Sequence, residues 1–110
     1  MQIVVSEKGG AKIMALSGRL DAVTVGEAEH QLNTLIESGQ SIVVIDFETL
    51  EYISSAGLRF VLAGAKKLQA RNGKLLLAGL GGVVKEVFEL AGFYDLLPVF
   101  DTPDQAIGSL

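Results

Sequence analysis

The stretch IVVIDFETLEYISSAGLRFVL, residues 42–62, decides the fold because its hydrophobic period changes along its length. Residues 42–45 are a run of β-branched side chains, which is typical of a strand buried on both faces. Residues 46–52 form a polar connection with two apolar anchors, Phe47 and Leu50. Hydrophobic residues then recur at intervals of three and four, which predicts an amphipathic helix. The predicted helical stripe consists of Leu58, Val61, Leu62, Ala65 and Leu68.

Two adjacent hydroxyls, Ser54 and Ser55, lie where this helix is predicted to begin. The first N–H groups of a helix have no partner within it, so a serine there can act as a cap, and an anion is favoured. A phosphate on either serine would be tolerated electrostatically, and Gly57 would leave the backbone open to a partner. The residues alone favour a simple helix cap over a modification site.

The rest of the chain predicts alternating strands and helices around this stretch. The turn at residues 9–10 indicates an N-terminal hairpin, and residues 18–21 are expected to form a loop. Thr24 and Glu27 have the spacing of a capping box at the start of the first helix. Predicted strands cover residues 3–5, 12–16, 42–45, 74–78 and 98–100, and predicted helical stripes cover residues 25–36, 58–68 and 84–91, with a short last helix ending at Ile107. We therefore expect a mixed sheet in which the second and third strands are parallel and adjacent.

Two carboxylates follow predicted strands of this sheet. Asp21 comes after the second strand, and Asp46 comes directly after the third. Partner surfaces in such sheets lie beyond the carboxyl ends of the strands, so we expect Asp21, Asp46 and Ser55 to gather at one end of the sheet. Each aspartate taken alone is better explained as a turn or cap residue.

Composition excludes several classes of protein. The net charge of −4 argues against a nucleic-acid surface, and the absence of cysteine excludes disulfides and thiolate metal sites. No apolar run approaches the ~18 residues of a membrane span. No nucleophile–base pair or metal-ligand set is visible, since His30 is the only histidine. These features predict a cytoplasmic protein that is not an enzyme and that needs no cofactor or metal.

The segment DFETLEYISSAGLR, residues 46–59, resembles the signature of the STAS family, the anti-sigma factor antagonists. GRLDA, residues 18–22, resembles the second signature of that family. The resemblance extends over nearly the whole chain and implies a single STAS-like domain over residues 1–110, an α/β fold with helices packed around a mixed sheet. The sequence departs from the best-known members at Ser54, where they have Asp, and at Ala56, where they have Ser or Thr.

The resemblance also implies a function and a set of site residues. The family serine two residues before the glycine accepts a phosphate, which identifies Ser55 as the expected phosphoacceptor and Ser54 as the second choice. The implied partners are an anti-sigma factor that is a serine kinase and a phosphatase that resets the switch, with the protein itself a monomer or weak dimer. The alternative is a constitutive accessory subunit of a transport or signalling complex. The expected partner-binding residues are Asp21, Asp46, Ser54, Ala56, Gly57 and Leu58.

Overall fold

Strands and helices alternate along residues 1–110, all of which the computed structural model describes. The strands are β1 (Gln2–Lys8), β2 (Ala11–Leu20), β3 (Ile42–Asp46), β4 (Leu50–Ile53), β5 (Lys74–Ala78) and β6 (Val99–Phe100). The helices are α1 (Val25–Glu37), α2 (Ser55–Gln69), α3 (Gly82–Leu90) and α4 (Pro103–Gly108), and a short 3-10 helix covers Phe93–Asp95. The predicted α/β class is confirmed. None of these helices combines the length and the hydrophobicity needed to cross a membrane.

The sheet is built around β2, which pairs with three other strands. β1 pairs with β2 antiparallel and forms the predicted hairpin, whereas β3 and β4 pair with β2 in parallel. β5 and β6 extend the sheet beyond β3, in the order β1-β2-β3-β5-β6. The expected parallel neighbours, β2 and β3, are confirmed by a register that places Ala15 opposite Asp46. The sheet is therefore mixed, with a parallel centre.

Two segments that were predicted as loops form strands instead. Residues 18–20 extend β2, and residues 50–53 form β4 within the predicted polar connection. Gly18 pairs with Leu50 and Arg19 pairs with Tyr52, so β4 carries one extra residue at this point. Such a bulge breaks the alternation of buried and exposed side chains. The strand period was invisible in the sequence for this reason.

The hydrophobic core lies mainly between the sheet and helices α1, α2 and α3, where 21 buried residues form one cluster. The two predicted anchors, Phe47 and Leu50, belong to this cluster. Phe88 packs edge-to-face against both Phe47 and Phe93, with ring centroids 5.2 Å apart in each pair. A smaller cluster of five residues lies on the opposite face of the sheet, beneath α4. Helices thus cover both faces of the sheet, as the fold class requires.

Helix α2 buries a wider face than the predicted stripe. Val61, Ala65 and Leu68 are buried as predicted, but Phe60 and Gly64 are buried as well. A Cβ atom added to Gly64 would lie 2.5 Å from a leucine methyl of α1, so these two helices touch closely there. Because α2 packs against both the sheet and α1, its buried face is too wide to follow from one stripe.

The helix ends agree with the sequence in one case and differ in another. Asn72 adopts the left-handed conformation expected after α2, with φ of 61°, and Gly73 N donates to Leu68 O at 2.7 Å. Thr24 is the N-cap of α1, but the predicted capping box with Glu27 is wrong, because the threonine side chain caps no N–H of the helix. Its hydroxyl instead donates to the backbone before α1, to Arg19 O at 2.8 Å. Local competition from the chain before the helix prevents the cap.

Gly57 lies inside the protein, which corrects the expectation that it opens the backbone to a partner. The residue is buried, and an added Cβ would lie 2.6 Å from Ile53 Cγ1 and 3.1 Å from Leu20 O. The space beside Gly57 is therefore occupied by β2 and β4. The glycine allows the first turn of α2 to approach these two strands closely.

Gly57→Ala should destabilise the protein, whereas Gly26→Ala should not. The methyl group at Gly57 would press on a backbone oxygen that cannot move freely, and overpacking of this kind costs about 1–3 kcal/mol. Gly26 lies in the first turn of α1 with no atom within 4 Å of an added Cβ, so alanine there should be neutral or stabilise by up to ~1 kcal/mol. Urea unfolding measures the free energy of unfolding of both variants. Equal stability of the two variants would contradict the tight packing at Gly57.

Candidate functional site

The carboxyl ends of β2 and β4 lie side by side and bring Asp21 to the serine pair. Leu20 and Ile53 are the last residues of these strands and pair with each other. Ser54 N donates to Leu20 O at 3.0 Å, and this hydrogen bond joins the end of β2 to the residue that precedes α2. Asp21 directly follows β2 and Ser54 directly follows β4, so the two residues lie side by side. Ser55 is the first residue of α2. Asp21 and Ser55 therefore lie at the same end of the sheet, as expected.

Asp46 does not join this group, which corrects the expectation that all three residues gather. Asp46 pairs with Ala15 on β2, five residues before Leu20, or roughly 17 Å along the strand. Its Oδ1 accepts a hydrogen bond from Glu48 N at 3.0 Å and closes the turn that follows β3. The reason for the separation is that β3 and β4 pair with successive parts of β2. Asp46 therefore has a local structural role.

The two serines have opposite environments. Ser54 is the N-cap residue of α2 in an extended conformation, and its Oγ is buried without a hydrogen-bond partner. Ser55 is exposed to solvent at the first helical position. Only the hydroxyl of Ser55 is therefore open to another protein in this structure.

The start of α2 is open to an anion. No side chain caps it, and its first turn contains no acidic residue. The first helical hydrogen bond at this end is donated by Leu58 N to Ser54 O at 3.0 Å. The N–H groups of residues 55–57 precede that bond, so they have no partner within the helix. Together with the helix dipole they favour negative charge next to Ser55.

The Asp21 carboxylate organises the loop between β2 and α1. Its Oδ1 accepts hydrogen bonds from Val23 N at 3.0 Å and Thr24 N at 3.2 Å, and Arg19 Nε lies 3.8 Å from Oδ2. Partial burial acts to raise the pKa of Asp21. The backbone hydrogen bonds of Thr24 and Val23, the Thr24 hydroxyl and the Arg19 charge outweigh that effect and lower the pKa below its ordinary value. Asp21 is therefore a fixed negative charge at neutral pH.

Three further features of this region were not recognised in the sequence. Val23, in the loop after Asp21, is 91% exposed. Arg19 lies over the ring of Tyr52, 4.1 Å from its centroid, on the surface formed by β2 and β4. A groove of about 240 Å³ runs between α1 and α2, and its lining includes Ala56 and Arg59. The Arg19–Tyr52 contact depends on the bulged register, and the exposure of Val23 depends on the loop path, so neither has a local sequence signal.

The remaining expected site residues lie close to Ser55. Ala56 is half-buried at the edge of the groove between α1 and α2. Leu58 is half-buried and packs against the main core cluster, so part of its side chain faces solvent. Gly57 is enclosed by β2 and β4 and offers no surface. We give the name switch surface to five residues beyond the ends of β2 and β4 that are at least partly open to solvent: Asp21, Val23, Ser55, Ala56 and Leu58.

These features define an α/β domain with an exposed serine at the start of a helix, placed beyond the ends of two parallel strands. A family model described as the STAS domain matches residues 2–106, and the chain belongs to that family. The Bordetella bronchiseptica protein BtrV, whose name classes it among the anti-sigma factor antagonists, is 37% identical, over 96% of this chain and 91% of that protein.

Solved structures share the same fold. An anti-sigma factor antagonist from Mycobacterium paratuberculosis superposes with a TM-score of 0.91 at 23% identity, covering 98% of this chain and 92% of that chain. The phosphorylated form of the Bacillus cell fate determinant SpoIIAA superposes with a TM-score of 0.76 at 23% identity, covering 98% of each chain. At these identities the likeness supports the fold of this chain.

Replacing Asp21 should separate its hydrogen-bonding role from its charge. Asp21→Ala removes the acceptor for Val23 N and Thr24 N and should lower the Tm, whereas Asp21→Asn keeps an acceptor and should lower it less. Because the pKa of Asp21 is lowered by folding, its stabilisation is complete above the unfolded pKa and is lost as the pH falls through the folded pKa. The Tm advantage of the wild type over Asp21→Asn should therefore shrink on acidification from pH 7 to pH 2, whereas the Tm difference between the two variants, neither of which titrates at this position, should not change. A Tm of Asp21→Ala equal to that of the wild type at pH 7 would contradict this role.

Proposed function

We propose that this protein is a binding module that docks through its switch surface to an anti-sigma factor, which is itself a serine kinase, and so frees a sigma factor. Phosphorylation of Ser55 by that kinase ends the docking. The proposal draws on the family of the chain and on the name of a relative that is 37% identical. It describes a protein that binds and carries no catalysis of its own.

The observation that carries the proposal is the contrast between the two serines. A kinase must bring the acceptor oxygen into its own active site, so that oxygen has to be accessible. Ser55 is exposed at the start of α2, whereas Ser54 Oγ is buried behind the same turn. We therefore assign the phosphate to Ser55 and a structural role, as the residue that precedes α2, to Ser54.

The effect of phosphorylation on folding and on docking follows from the position that the phosphate would occupy. A phosphate adds about −1.5 to −2 charges at neutral pH. In the free protein the charge would face water and the positive end of α2, so the fold tolerates it. In a docked complex the same charge would be removed from water, and a single neighbouring cation could not neutralise it, so docking would be costly. Phosphorylation should therefore weaken docking while leaving the protein folded.

The switch surface offers the partner an apolar contact beside a fixed charge. Val23 is 91% exposed and contributes an apolar side chain, and Leu58 adds a half-exposed one. Asp21 remains ionised beside them, so it can accept hydrogen bonds from a cationic or N–H group of the kinase. Apolar contacts surrounded by polar groups are typical of protein interfaces.

The same proposal implies a cycle. A phosphatase must remove the phosphate from Ser55 to restore docking, and the partners place the cycle in the cytoplasm, where transcription takes place. A constitutive STAS subunit of a transport or signalling complex would use the same surface without phosphate. The two functions differ in one observable, which is whether the protein gains phosphate from a kinase.

Incubation with ATP and the anti-sigma factor kinase encoded nearest to this gene should add one phosphate, read as intact mass. Ser55→Ala should gain none and should still bind the kinase. Ser54→Ala is the matched control and should gain the phosphate. Loss of a capping serine usually costs about 1 kcal/mol, but Ser54 Oγ caps nothing here, so Ser54→Ala should cost less than that.

Two outcomes count against this assignment. Phosphate on Ser55→Ala but not on Ser54→Ala would assign the switch to the buried serine. A wild-type protein that no kinase labels, while it still binds a partner, would identify it as a constitutive binding module.

Val23→Glu should weaken docking to the kinase by roughly tenfold or more, because it places a charge in an interface that buries an apolar side chain. Leu90→Glu is the matched control, since Leu90 is 90% exposed at the end of α3 and lies outside the switch surface. Both variants should keep the wild-type Tm, since neither side chain is buried. Calorimetry measures the affinity of each variant for the kinase. Equal affinities would show that Val23 does not contribute to docking.

A further inference from the structure

Arg59 is a cation on α2 that the unmodified fold leaves unused. The three ion pairs of the structure are Lys8–Asp104, Lys12–Glu7 and Arg19–Asp21, and Arg59 takes part in none. Its side chain is exposed and forms no side-chain hydrogen bond. Other cations on the same side of the molecule are engaged with α1, since Lys67 donates to Asn33 Oδ1 at 3.0 Å and Arg71 donates to Ile36 O at 2.9 Å.

Arg59 lies one helical turn after Ser55, at the spacing i, i+4. Side chains at this spacing share one face of a helix, with Cβ atoms about 5–6 Å apart. The side chain of the later residue points back toward the start of the helix, so the Arg59 guanidinium can reach the region around Ser55 Oγ. The order also matters, because an anion before a cation along the helix is the more favourable arrangement.

The carboxylates near Ser55 are not paired with Arg59. Asp21, next to the serine pair, is held by Val23 N, Thr24 N and Arg19. The first turn of α2 contains no acidic residue. The carboxylate that lines the same groove as Arg59 is that of Glu29 on α1, and no ion pair joins the two. The groove also contains Lys67, which is held by Asn33. Arg59 is therefore free to pair with a new anion at Ser55.

We propose that Arg59 is the residue that holds the phosphate once Ser55 is phosphorylated, as an ion pair within α2. This inference rests on the proposed function only in taking Ser55 as the modified residue. A guanidinium presents two parallel N–H groups and matches the geometry of phosphate oxygens better than an ammonium group does. Arg59 acts as a positioning residue, because it orients the phosphate and forms no covalent bond with it.

The ion pair gives phosphorylation a second consequence. In the unmodified protein Arg59 lines the groove between α1 and α2, where its charge is available to a carboxylate of a partner. Once it pairs with the phosphate, the groove loses that cation. Phosphorylation then changes the switch surface in two ways, since it adds a negative charge at Ser55 and withdraws a positive charge from the adjoining groove.

The test installs phosphoserine at position 55 during synthesis, so it needs no kinase. The second pKa of a phosphoserine is normally about 6, and a nearby cation lowers it. ³¹P NMR titration of the folded protein measures this pKa directly. Arg59→Gln should raise it by roughly 0.2–0.4 pH unit, the value expected from the strength of an i, i+4 ion pair.

Lys66→Gln is the matched control, since it removes one exposed and unpaired cation from the same helix. Lys66 is eleven residues after Ser55, or about 16 Å along the axis, which exceeds the screening length of about 8 Å at physiological salt. It should therefore leave the phosphate pKa unchanged. Arg59→Lys keeps the charge without the paired N–H groups and should restore part of the effect.

The inference is overturned if Arg59→Gln leaves the phosphate pKa unchanged, or if Arg59→Gln and Lys66→Gln shift it equally, since the effect would then be one of total charge. If Arg59→Gln does not fold, the test rests on Arg59→Lys. A phosphate pKa in Arg59→Lys equal to that in the wild type would then contradict an ion pair formed through two parallel N–H groups. A kinase that fails to phosphorylate Ser55 contradicts the proposed function and leaves this titration unaffected.

Discussion

The pairing of β4 with the last residues of β2 is the constraint on which the site depends. β2 is ten residues long, and β3 pairs with its first half while β4 pairs with its end. The hydrogen bond from Ser54 N to Leu20 O then fixes the point at which α2 begins. Gly57 allows the first turn of α2 to lie against these strands. Without this pairing, Ser55 would have no defined position relative to Asp21.

The sequence predicted those elements whose pattern is local. The apolar runs of β3 and β5, the hairpin and the left-handed Asn72 each follow from a few neighbouring residues, and the structure confirms them. β4 could not be predicted in this way, because its extra residue places buried Leu50 and Ile53 three positions apart. Its partner is also remote in the chain, and strand pairing between distant segments leaves little trace in either segment alone.

The sequence predicted which residues belong to the site better than it predicted how they are arranged. The local pattern identified the serine pair and Asp21, and the resemblance supplied their roles. Only the tertiary structure separates an exposed Ser55 from a buried Ser54 Oγ. Asp46 and Asp21 look equivalent in the sequence, since each follows a strand. They lie apart because β3 ends beside the middle of β2. Gly57 likewise looks like an opening for a partner until the positions of Leu20 and Ile53 are known.

The start of α2 is held by contacts that do not involve the hydroxyl of Ser55. A buried hydroxyl without a partner costs stability, and an uncapped helix start forgoes the stabilisation that a cap provides. The start of α2 is therefore held by the pairing of β4 with β2 and by the packing of its first turn. Because neither contact involves the exposed hydroxyl of Ser55, a phosphate can be added without breaking either one. In the proposed switch the added charge would lie at the uncapped end of α2, where the helix dipole favours it, so we expect its cost in docking and not in folding.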